Sequence, residues 1–335
     1  MADPAGGVRE SGRRVGVYYP LQPRDPRQLA PFAKLAAKSA DRLWMGQSLN
    51  LDTQQTLAYL LGQGITPALG VGLSLMPLTH PYQAAVAARS LAALSGKPLT
   101  AVFGTGSPEF QRALNGAPYD SPLGAAREYV TEVSRLLRGA PGETREGDAT
   151  AGTRLDPTLG DFPPVETGLG VLRERMARLA ADHADVALTW LTPRDHLRDR
   201  LLPVLTGGLR RPRVVSVVHV VVRRPGRDIP RAVHLAVRNH LSGPHYRRAL
   251  TAAGVSLTGS DQDIARNLVD HVVVLVGTAD EIASNVSTYW AVGIDEVVLN
   301  PGVLMAAGPV EALRDLLEVT AACRAAAEPQ MEETP

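Results

Sequence analysis

Two short glycine motifs in this 335-residue chain contain residue types that could bind a nucleotide-like cofactor. GTGSPE runs from Gly104 to Glu109, and GLGVLR runs from Gly168 to Arg173. A dinucleotide fingerprint needs a third glycine at the sixth position, where helix and strand pack closely, and these motifs carry glutamate and arginine there. Neither is a Rossmann signature. The P-loop, HExxH and GxSxG spacings and a paired-cysteine metal site are also missing, so hydrolase and metalloenzyme chemistry has no support.

The GLG of the second motif has a position that favours anion binding. It falls between the predicted fifth strand and the following helix, so the backbone N–H groups of Gly168–Val171 would point from a helix N-terminus toward an anion. We expect a phosphate there, with a tight turn that merely needs glycine as the alternative. Arg173, Arg175 and Arg178 begin the helix and would either reach an acidic tail or form a solvated face.

Glycines and tryptophans near strand ends are the other candidate site residues. Gly70 and Gly72 lie inside the predicted third strand, where glycine often marks the close approach of a ligand. The alternative is that they make room for a bulky neighbour in a crowded interior. Trp44 and Trp190 each lie near the end of a predicted strand. Each would either be buried in the core or contribute to the site.

The stretch LMPLTHPYQAAVAARSLAALSG shows how the chain is built around these residues. Pro81 suits the first position of a helix, because proline fixes its own φ and lacks an N–H, and Thr79 or His80 would be the N-cap. Gly96 stands where a left-handed C-cap residue is expected. The apolar runs on either side complete a strand, turn, helix and strand.

Hydrophobic periodicity divides the chain into eight strands, each followed by helix. This order predicts an α/β fold with a single (β/α)8 TIM barrel over residues 14–320, and a doubly wound open sheet is the alternative. Barrel enzymes build their sites on the loops after the strands, so an insertion loop at 139–164 and extra helices at 240–290 are expected to cover the site. Residues 1–13 and 326–335 are expected to be flexible tails.

Charge and cysteine content limit the function classes. The chain has 35 basic and 34 acidic residues without a basic block, so we expect no nucleic-acid partner and no membrane association. Cys323 is the one cysteine, which excludes an internal disulfide and suits a reducing compartment. The first residues lack the apolar core of a signal peptide, and no run approaches the roughly 18 apolar residues of a membrane span. These features predict a cytoplasmic protein.

Three longer segments resemble a known family. PLTHPYQAAVAARSLAALSGKPLTAVFGTG is similar to the strand 3 to strand 4 segment of the luciferase-like flavin- and deazaflavin-dependent oxidoreductases, and GLGVLRERMARLAADHADVALTWL to their strand 5 to strand 6 segment. YDSPLGAAREYVTEVSRLLRG resembles the helix 4 region between them. The resemblance implies a bacterial-luciferase-like barrel that holds the deazaflavin F420, or FMN as the alternative, at the C-terminal ends of its strands.

The resemblance also implies roles for individual residues. Members often have a non-prolyl cis peptide at the end of strand 3, which would fall near Gly72 and Leu73 and back the cofactor ring. Ser107 stands where some deazaflavin members have an acid, and Gln47 replaces an acid or histidine often found after strand 2. The cofactor contacts implied by the family are Gly72, Leu73, Thr105, Gly106, Gly168, Leu169, Gly170 and Val171.

The function implied by the resemblance is reduction by F420H2. A hydride passes to the β-carbon of an activated alkene in a natural product or peptide, for example dehydroalanine in lanthipeptide biosynthesis, and a proton is added at the α-carbon. Candidate substrate contacts are Trp44, Gln47 and Trp190. Candidate proton donors are Tyr18, Tyr19 and His80. An FMN-dependent monooxygenase and a non-catalytic flavin-binding protein are the alternatives, and a homodimer is a further expectation.

Overall fold

The computed structural model describes residues 13–139, 162–302, 305 and 308–328. In these ranges, nine strands form one parallel sheet. They are β1 (Arg14–Tyr19), β2 (Arg42–Met45), β3 (Leu69–Leu75), β4 (Leu99–Gly104), β5 (Val165–Val171), β6 (Val186–Trp190), β7 (Arg213–Val222), β8 (Val274–Gly277) and β9 (Glu296–Asn300). Strand β9 pairs with both β7 and β1, so eight of the strands close into a barrel, as the element order predicts.

Helices surround the barrel and connect its strands. Within the described residues they are α1 (Ala30–Ser39), α2 (Thr53–Gly62), α3 (Pro81–Ser95), α4 (Pro108–Asn115), α5 (Pro122–Leu137), α6 (Glu174–His183), α7 (Arg194–His196), α8 (Leu202–Thr206), α9 (Ile229–Leu241), α10 (Pro244–Ala252), α11 (Asp261–Asp270), α12 (Ala279–Ala291) and α13 (Pro309–Ala327). A π-helical turn, Leu197–Leu201, joins α7 to α8. No helix in the described ranges is both long and apolar enough to cross a membrane.

The start of α3 agrees with the sequence prediction. Pro81 is its first residue, and the Nδ1 atom of the N-cap His80 accepts a hydrogen bond of 3.3 Å from the Tyr82 backbone N–H. Gly96 ends the helix in the left-handed region with φ of 64°. His80 is exposed and caps the helix, so its predicted role as a proton donor in the site is wrong.

Other predicted boundaries need correction. The apolar run after α11 is strand β8, which pairs with β7 over His219–Val222, whereas the sequence predicted only helices there. Apart from its ends, the predicted insertion at 139–164 lies outside the described residues, as do most of the predicted tails. Helix α13 continues to Ala327, so the C-terminal tail begins after residue 326.

A buried ionic layer fills the barrel at the N-terminal ends of its strands. Arg213 donates to Glu296 and to Glu166 at 2.6 Å each, and Arg42 donates to Thr100. Glu296 is fully buried, and its Oε2 atom also lies 3.7 Å from the Arg42 guanidinium. Burial alone would raise the pKa of Glu166, but the hydrogen bond and charge of Arg213 lower it. The layer therefore pairs its charges, with Arg42 and Glu296 buried and Glu166 partly exposed.

Trp44 lies directly above this layer, across two glycines. It is fully buried, and its Nε1–H donates to Glu296 at 2.6 Å. A Cβ atom on Gly70 would collide with the indole ring, and one on Gly16 would lie 2.9 Å from it. The predicted substrate contact at Trp44 is therefore wrong, because the side chain fills the barrel core. The alternative interpretation of Gly70, as room for a bulky neighbour, is confirmed.

Candidate active site

The inward-facing residues at the C-terminal ends of the barrel strands differ between its two halves. Alternation along each strand brings these residues into one layer. Small residues come from β2 to β5 and larger polar or aromatic ones from the remaining barrel strands. The first set, called here the glycine floor, is Gly46, Gly72, Gly104 and Gly170, and the second is Tyr18, Trp190, His219 and Asn300. The missing side chains make room for Tyr18 and Leu73, because a Cβ on Gly46 would meet the Tyr18 hydroxyl and a Cβ on Gly104 or Gly170 would meet the Leu73 side chain.

A cavity of about 1130 Å³ opens beside the glycine floor, and Gly104 and Gly170 of the floor line it. Its walls come from the ends of β3 to β6, the starts of α4, α5 and α6, and helix α10. Its deeper lining is apolar and includes Leu73, Phe103 and Leu188. The cavity thus lies at the C-terminal ends of the strands, where the loops of a barrel form binding sites.

The end of β3 forms one wall through an irregular backbone. The Gly72–Leu73 peptide is cis, at the place implied by the family resemblance, and the register with β4 shifts between Gly72 and Ser74. Tyr18 donates from its hydroxyl to the Gly72 carbonyl at 3.2 Å. The Gln47 backbone N–H donates to the Leu73 carbonyl at 2.9 Å. Gln47 supports this segment and is not among the residues that line the cavity, so its substrate contact stays a prediction.

The end of β4 carries Thr105 and Gly106 to the cavity wall. Gly106 has φ of 70°, a conformation that favours glycine. The buried Gln111 side chain fixes this turn, because its amide donates to the carbonyls of Thr105 at 3.0 Å and Gly106 at 3.1 Å. Ser107 caps helix α4 through the Phe110 N–H at 3.2 Å. Cofactor contact at Thr105 and Gly106 stays a prediction that their position permits.

The GLG motif lies in strand β5 rather than at a helix N-terminus. Gly168 is buried within the barrel and away from the cavity, because a Cβ there would lie 2.8 Å from the Val186 carbonyl. Leu169, Gly170 and Val171 line the cavity but belong to the sheet. The predicted phosphate site on the helix N–H groups of Gly168–Val171 is therefore wrong.

The helix N-terminus at the cavity belongs to α6, a few residues later. Arg173 is its N-cap and makes no side-chain capping hydrogen bond, and Arg173 to Met176 line the cavity. Arg200 pairs with Glu174 at 2.5 Å. Arg173 and Arg175 are exposed and have no hydrogen-bond or ion-pair partner within the part of the chain described. Two free guanidinium groups and open N–H groups make this end of the cavity suitable for a phosphate.

The opposite wall is a cluster of aromatic rings on β6, β7, α9 and α10. The Trp190 ring centroid lies 4.8 Å from Tyr18, 5.7 Å from His219 and 5.3 Å from His240. Tyr246 continues the cluster at 5.2 Å from His240. Trp190 lines the cavity as predicted, whereas the contributions of His219, His240 and Tyr246 were missed by sequence analysis. Only the folding of α9 and α10 over the barrel brings them together.

Two of the three proton-donor candidates lie on β1 and face opposite ways. Tyr18 points into the barrel, where burial raises the pKa of its phenol and a contribution from Tyr246 raises it further. Tyr19 points outward into the helix layer, with its ring centroid 5.4 Å from that of Phe32. Adjacent residues of a strand face opposite sides, so the prediction for Tyr19 is wrong. Tyr18 remains beside the cavity with its hydroxyl bonded to Gly72.

His219, which is buried, and His240, which is half-buried, predict a loss of stability in mild acid. Burial lowers the pKa of His219 to about 3 and that of His240 to about 4. An unfolded chain binds protons on histidine below about pH 6.5, and the folded state does not, so the free energy of unfolding should fall as pH drops from about 6.5 to about 4. Each histidine adds a slope of at most about 1.4 kcal/mol per pH unit. Urea unfolding of wild type and His240→Gln checks this.

The His240→Gln curve should be flatter than the wild-type curve between those pH values. His271→Gln, a change at an exposed helix end, is the matched control and should keep the wild-type slope. Parallel curves for wild type and His240→Gln would contradict a neutral imidazole at His240.

Comparisons with known proteins agree with the geometry. The model of the family described as luciferase-like monooxygenase matches residues 12–296. The fold is similar to that of an F420-dependent secondary alcohol dehydrogenase solved with an F420–acetone adduct, at a TM-score of 0.70 and 16% identity over 93% of this chain and 99% of the other. No curated protein sequence matches.

Two further solved structures have similar folds. One is the coenzyme F420-dependent tetrahydromethanopterin reductase of Methanopyrus kandleri, at a TM-score of 0.65 and 17% identity over 91% of this chain and 97% of the other. The other is the oxygenating constituent of 3,6-diketocamphane monooxygenase from Pseudomonas putida, solved in complex with FMN. It has a TM-score of 0.67 and 16% identity over 92% of this chain and 97% of the other. At these identities, the similarity shows the fold.

Proposed function

The chain belongs to the luciferase-like monooxygenase family, and from that premise we propose that it is an F420H2-dependent reductase of an activated C=C bond. The observation that carries this proposal is one cavity that is lined on the barrel by Leu73, Gly104 and Gly170 and at the start of α6 by two arginines, Arg173 and Arg175, without a partner among the described residues. A flat ring fits the first and an anionic side chain fits the second. When bound, reduced F420 supplies a hydride.

Different residues of this chain would bind the ring and the phosphate of the cofactor. Leu73 packs over the glycine floor, because Cβ atoms on Gly104 and Gly170 would lie 2.9 and 2.8 Å from its side chain. Together with Leu188 on β6 it forms an apolar surface that excludes water from beside a ring. Arg173, at the start of α6, would bind the phosphate, and the helix dipole adds to its charge.

The deazaflavin is favoured over FMN by the number of basic groups on α6 and α10, the two helices that border the cavity. F420 carries an acidic tail beyond its phosphate, whereas FMN ends at the phosphate. Arg247 and Arg248 on α10 join Arg173 and Arg175 as exposed arginines without a partner among the described residues. The charge of Arg248 also acts on His245, which lines the cavity. An acidic tail would neutralise a larger part of this cluster than a single phosphate.

The alternative function is an FMN-dependent monooxygenase. It is favoured by the description of the matched family and by the FMN complex of a similar fold. The similar structures reported above include no peptide-modifying enzyme, so dehydroalanine remains one example within the proposed class of activated alkenes. A non-catalytic flavin-binding protein would share the cofactor site and lack turnover.

Cofactor titration followed by turnover tests the proposal. The purified chain is titrated with F420 and with FMN, and bound cofactor is measured by fluorescence. Reduced F420 is then mixed with a conjugated alkene, such as cyclohex-2-enone, without oxygen, and its oxidation is followed by absorbance. We expect tighter binding of F420 than of FMN, and oxidation that depends on the alkene. Binding of FMN alone, with oxygen-dependent turnover, would replace the proposal by the monooxygenase alternative.

Removing both free arginines should weaken cofactor binding in a salt-dependent manner. The double variant Arg173→Ala, Arg175→Ala should lose about 1 kcal/mol of electrostatic attraction for the cofactor, which is about fivefold in affinity at low salt. The loss should be smaller at high salt, because exposed charges are screened. Arg178→Ala, in the same helix but outside the cavity lining, is the matched control. Equal affinities of the double variant and the control would place the anion elsewhere.

A further inference from the structure

Tyr246 is held at the cavity by the junction of two helices. Helix α9 ends at Leu241, and α10 restarts at Pro244 after Gly243. A Cβ on Gly243 would lie 2.9 Å from the His245 ring, so glycine allows this ring to fold back beside its neighbour. The His245 and Tyr246 ring centroids are 4.4 Å apart, and His240 contacts the phenol from the other helix at 5.2 Å. The phenol ring is therefore fixed between two imidazoles.

The hydroxyl of Tyr246 is an unused hydrogen-bond donor. It has no hydrogen-bond partner in the described part of the chain, and it is not among the polar atoms sealed away from open space. Tyr246 lines the cavity. Ring contacts connect Tyr246 through His240 and Trp190 to Tyr18, whose own hydroxyl already donates to the Gly72 carbonyl. Burial raises the pKa of Tyr246 to about 12, so the phenol stays protonated.

The surroundings of this hydroxyl define what it can bind. The deeper lining of the cavity consists largely of apolar side chains, including Leu73, Phe103 and Leu188. The neighbouring imidazoles of His240 and His245 have a lowered pKa, mainly because burial disfavours their charged form. A neutral donor in an apolar wall suits an uncharged acceptor oxygen rather than a carboxylate, which would find arginines only at the mouth.

We propose that the Tyr246 hydroxyl binds the carbonyl oxygen of the substrate, and that the substrate is an otherwise apolar α,β-unsaturated carbonyl compound. The inference rests on the proposed function and adds to it the substrate class and the residue that selects it. Hydride addition at the β-carbon moves the alkene electron pair toward the carbonyl oxygen, and the donated hydrogen bond stabilises the resulting negative charge. A proton from water then completes the α-carbon. The reductant is the F420H2 of the proposed function.

Cyclohex-2-enone labelled with carbon-13 at the carbonyl is the probe for this contact. Its binding to the full chain is measured with oxidised F420 present, so that no turnover occurs, and its carbonyl stretch is recorded by infrared difference spectroscopy. Tyr246→Phe keeps the ring and removes the donor. Tyr82→Phe, on the exposed surface of α3, is the matched control. Circular dichroism checks that each variant is folded.

The bound carbonyl should absorb at lower wavenumber in wild type and Tyr82→Phe than in Tyr246→Phe. Enone affinity should fall about two- to tenfold in Tyr246→Phe, the usual range for one neutral hydrogen bond. Identical carbonyl bands in wild type and Tyr246→Phe would overturn the proposal, as would absence of saturable enone binding to wild type.

The same measurements separate this inference from the proposed function. If F420 fails to bind, the proposed function fails, and the band recorded on the cofactor-free chain still decides whether Tyr246 contacts the carbonyl. If F420 binds and the bands are identical, only the assignment of Tyr246 fails.

Discussion

Replacing Gly170 by aspartate should lower the affinity of the protein for its cofactor at least tenfold while the barrel stays folded. A Cβ at this position would lie 2.8 Å from two carbon atoms of Leu73, so the leucine side chain, which lines the cavity, must move. The carboxylate would also add a negative charge within an apolar part of the cavity, where an unpaired charge is costly. Fluorescence titration with F420 and FMN measures the loss.

Gly62→Asp is the matched control for this change. Gly62 ends helix α2, and a Cβ there would meet nothing within 4 Å, so the same charge is added without contact with the cavity. Circular dichroism and thermal unfolding establish that both variants fold. Unchanged cofactor affinity in folded Gly170→Asp would mean that the ring does not lie over the glycine floor.

Replacing Glu296 by glutamine should destabilise the protein by about 3–5 kcal/mol, because removal of one partner leaves buried charge uncompensated. Glu296 is fully buried and is paired with Arg213 at 2.6 Å. Burial lowers the pKa of Arg42, and the charge of Glu296 acts against that shift, so the variant would leave Arg42 poorly neutralised, whereas Arg213 would keep Glu166. Urea unfolding, followed by circular dichroism, gives the free energy of unfolding.

Glu128→Gln provides the comparison for Glu296→Gln. The Glu128 side chain is 67% exposed, and its contact with Arg127 is 4.0 Å long, so its loss should change stability by less than about 0.5 kcal/mol. A similarly small loss in Glu296→Gln would show that water or a rearranged arginine replaces the carboxylate.

The sequence predicted the strands well where local pattern determines them. The β-branched run RVVSVVHVVV forms β7 over the same residues, Arg213–Val222, because a continuous apolar run bounded by polar residues suits a strand buried on both faces. Pro81 and Gly96 likewise mark the ends of α3, because each has a backbone preference that its neighbours do not alter.

The errors arise where tertiary contacts decide the role of a residue. GLG was interpreted as a phosphate site at a helix N-terminus, but the motif lies in β5, where Val186 leaves no space for a Cβ on Gly168 and Leu73 leaves none on Gly170. Trp44 lies near a strand end, yet its ring packs in the core because Gly16 and Gly70 on the two neighbouring strands leave space for it. The contacts of His240 and Tyr246 depend on how α9 and α10 fold back, which periodicity alone cannot specify.

The Trp44 indole separates the ionic layer from the glycine floor, and this division has a consequence for protein engineering. Substitutions at sites that share no partners combine additively in free energy, whereas neighbours couple. Changes that strengthen the closed end of the barrel, around Arg42 and Glu296, can therefore be selected first for heat resistance. The stability gained there can then offset the cost of substitutions at Gly104, Gly170 and Tyr246 that are selected for altered substrate choice. The stabilising substitutions need not be selected again.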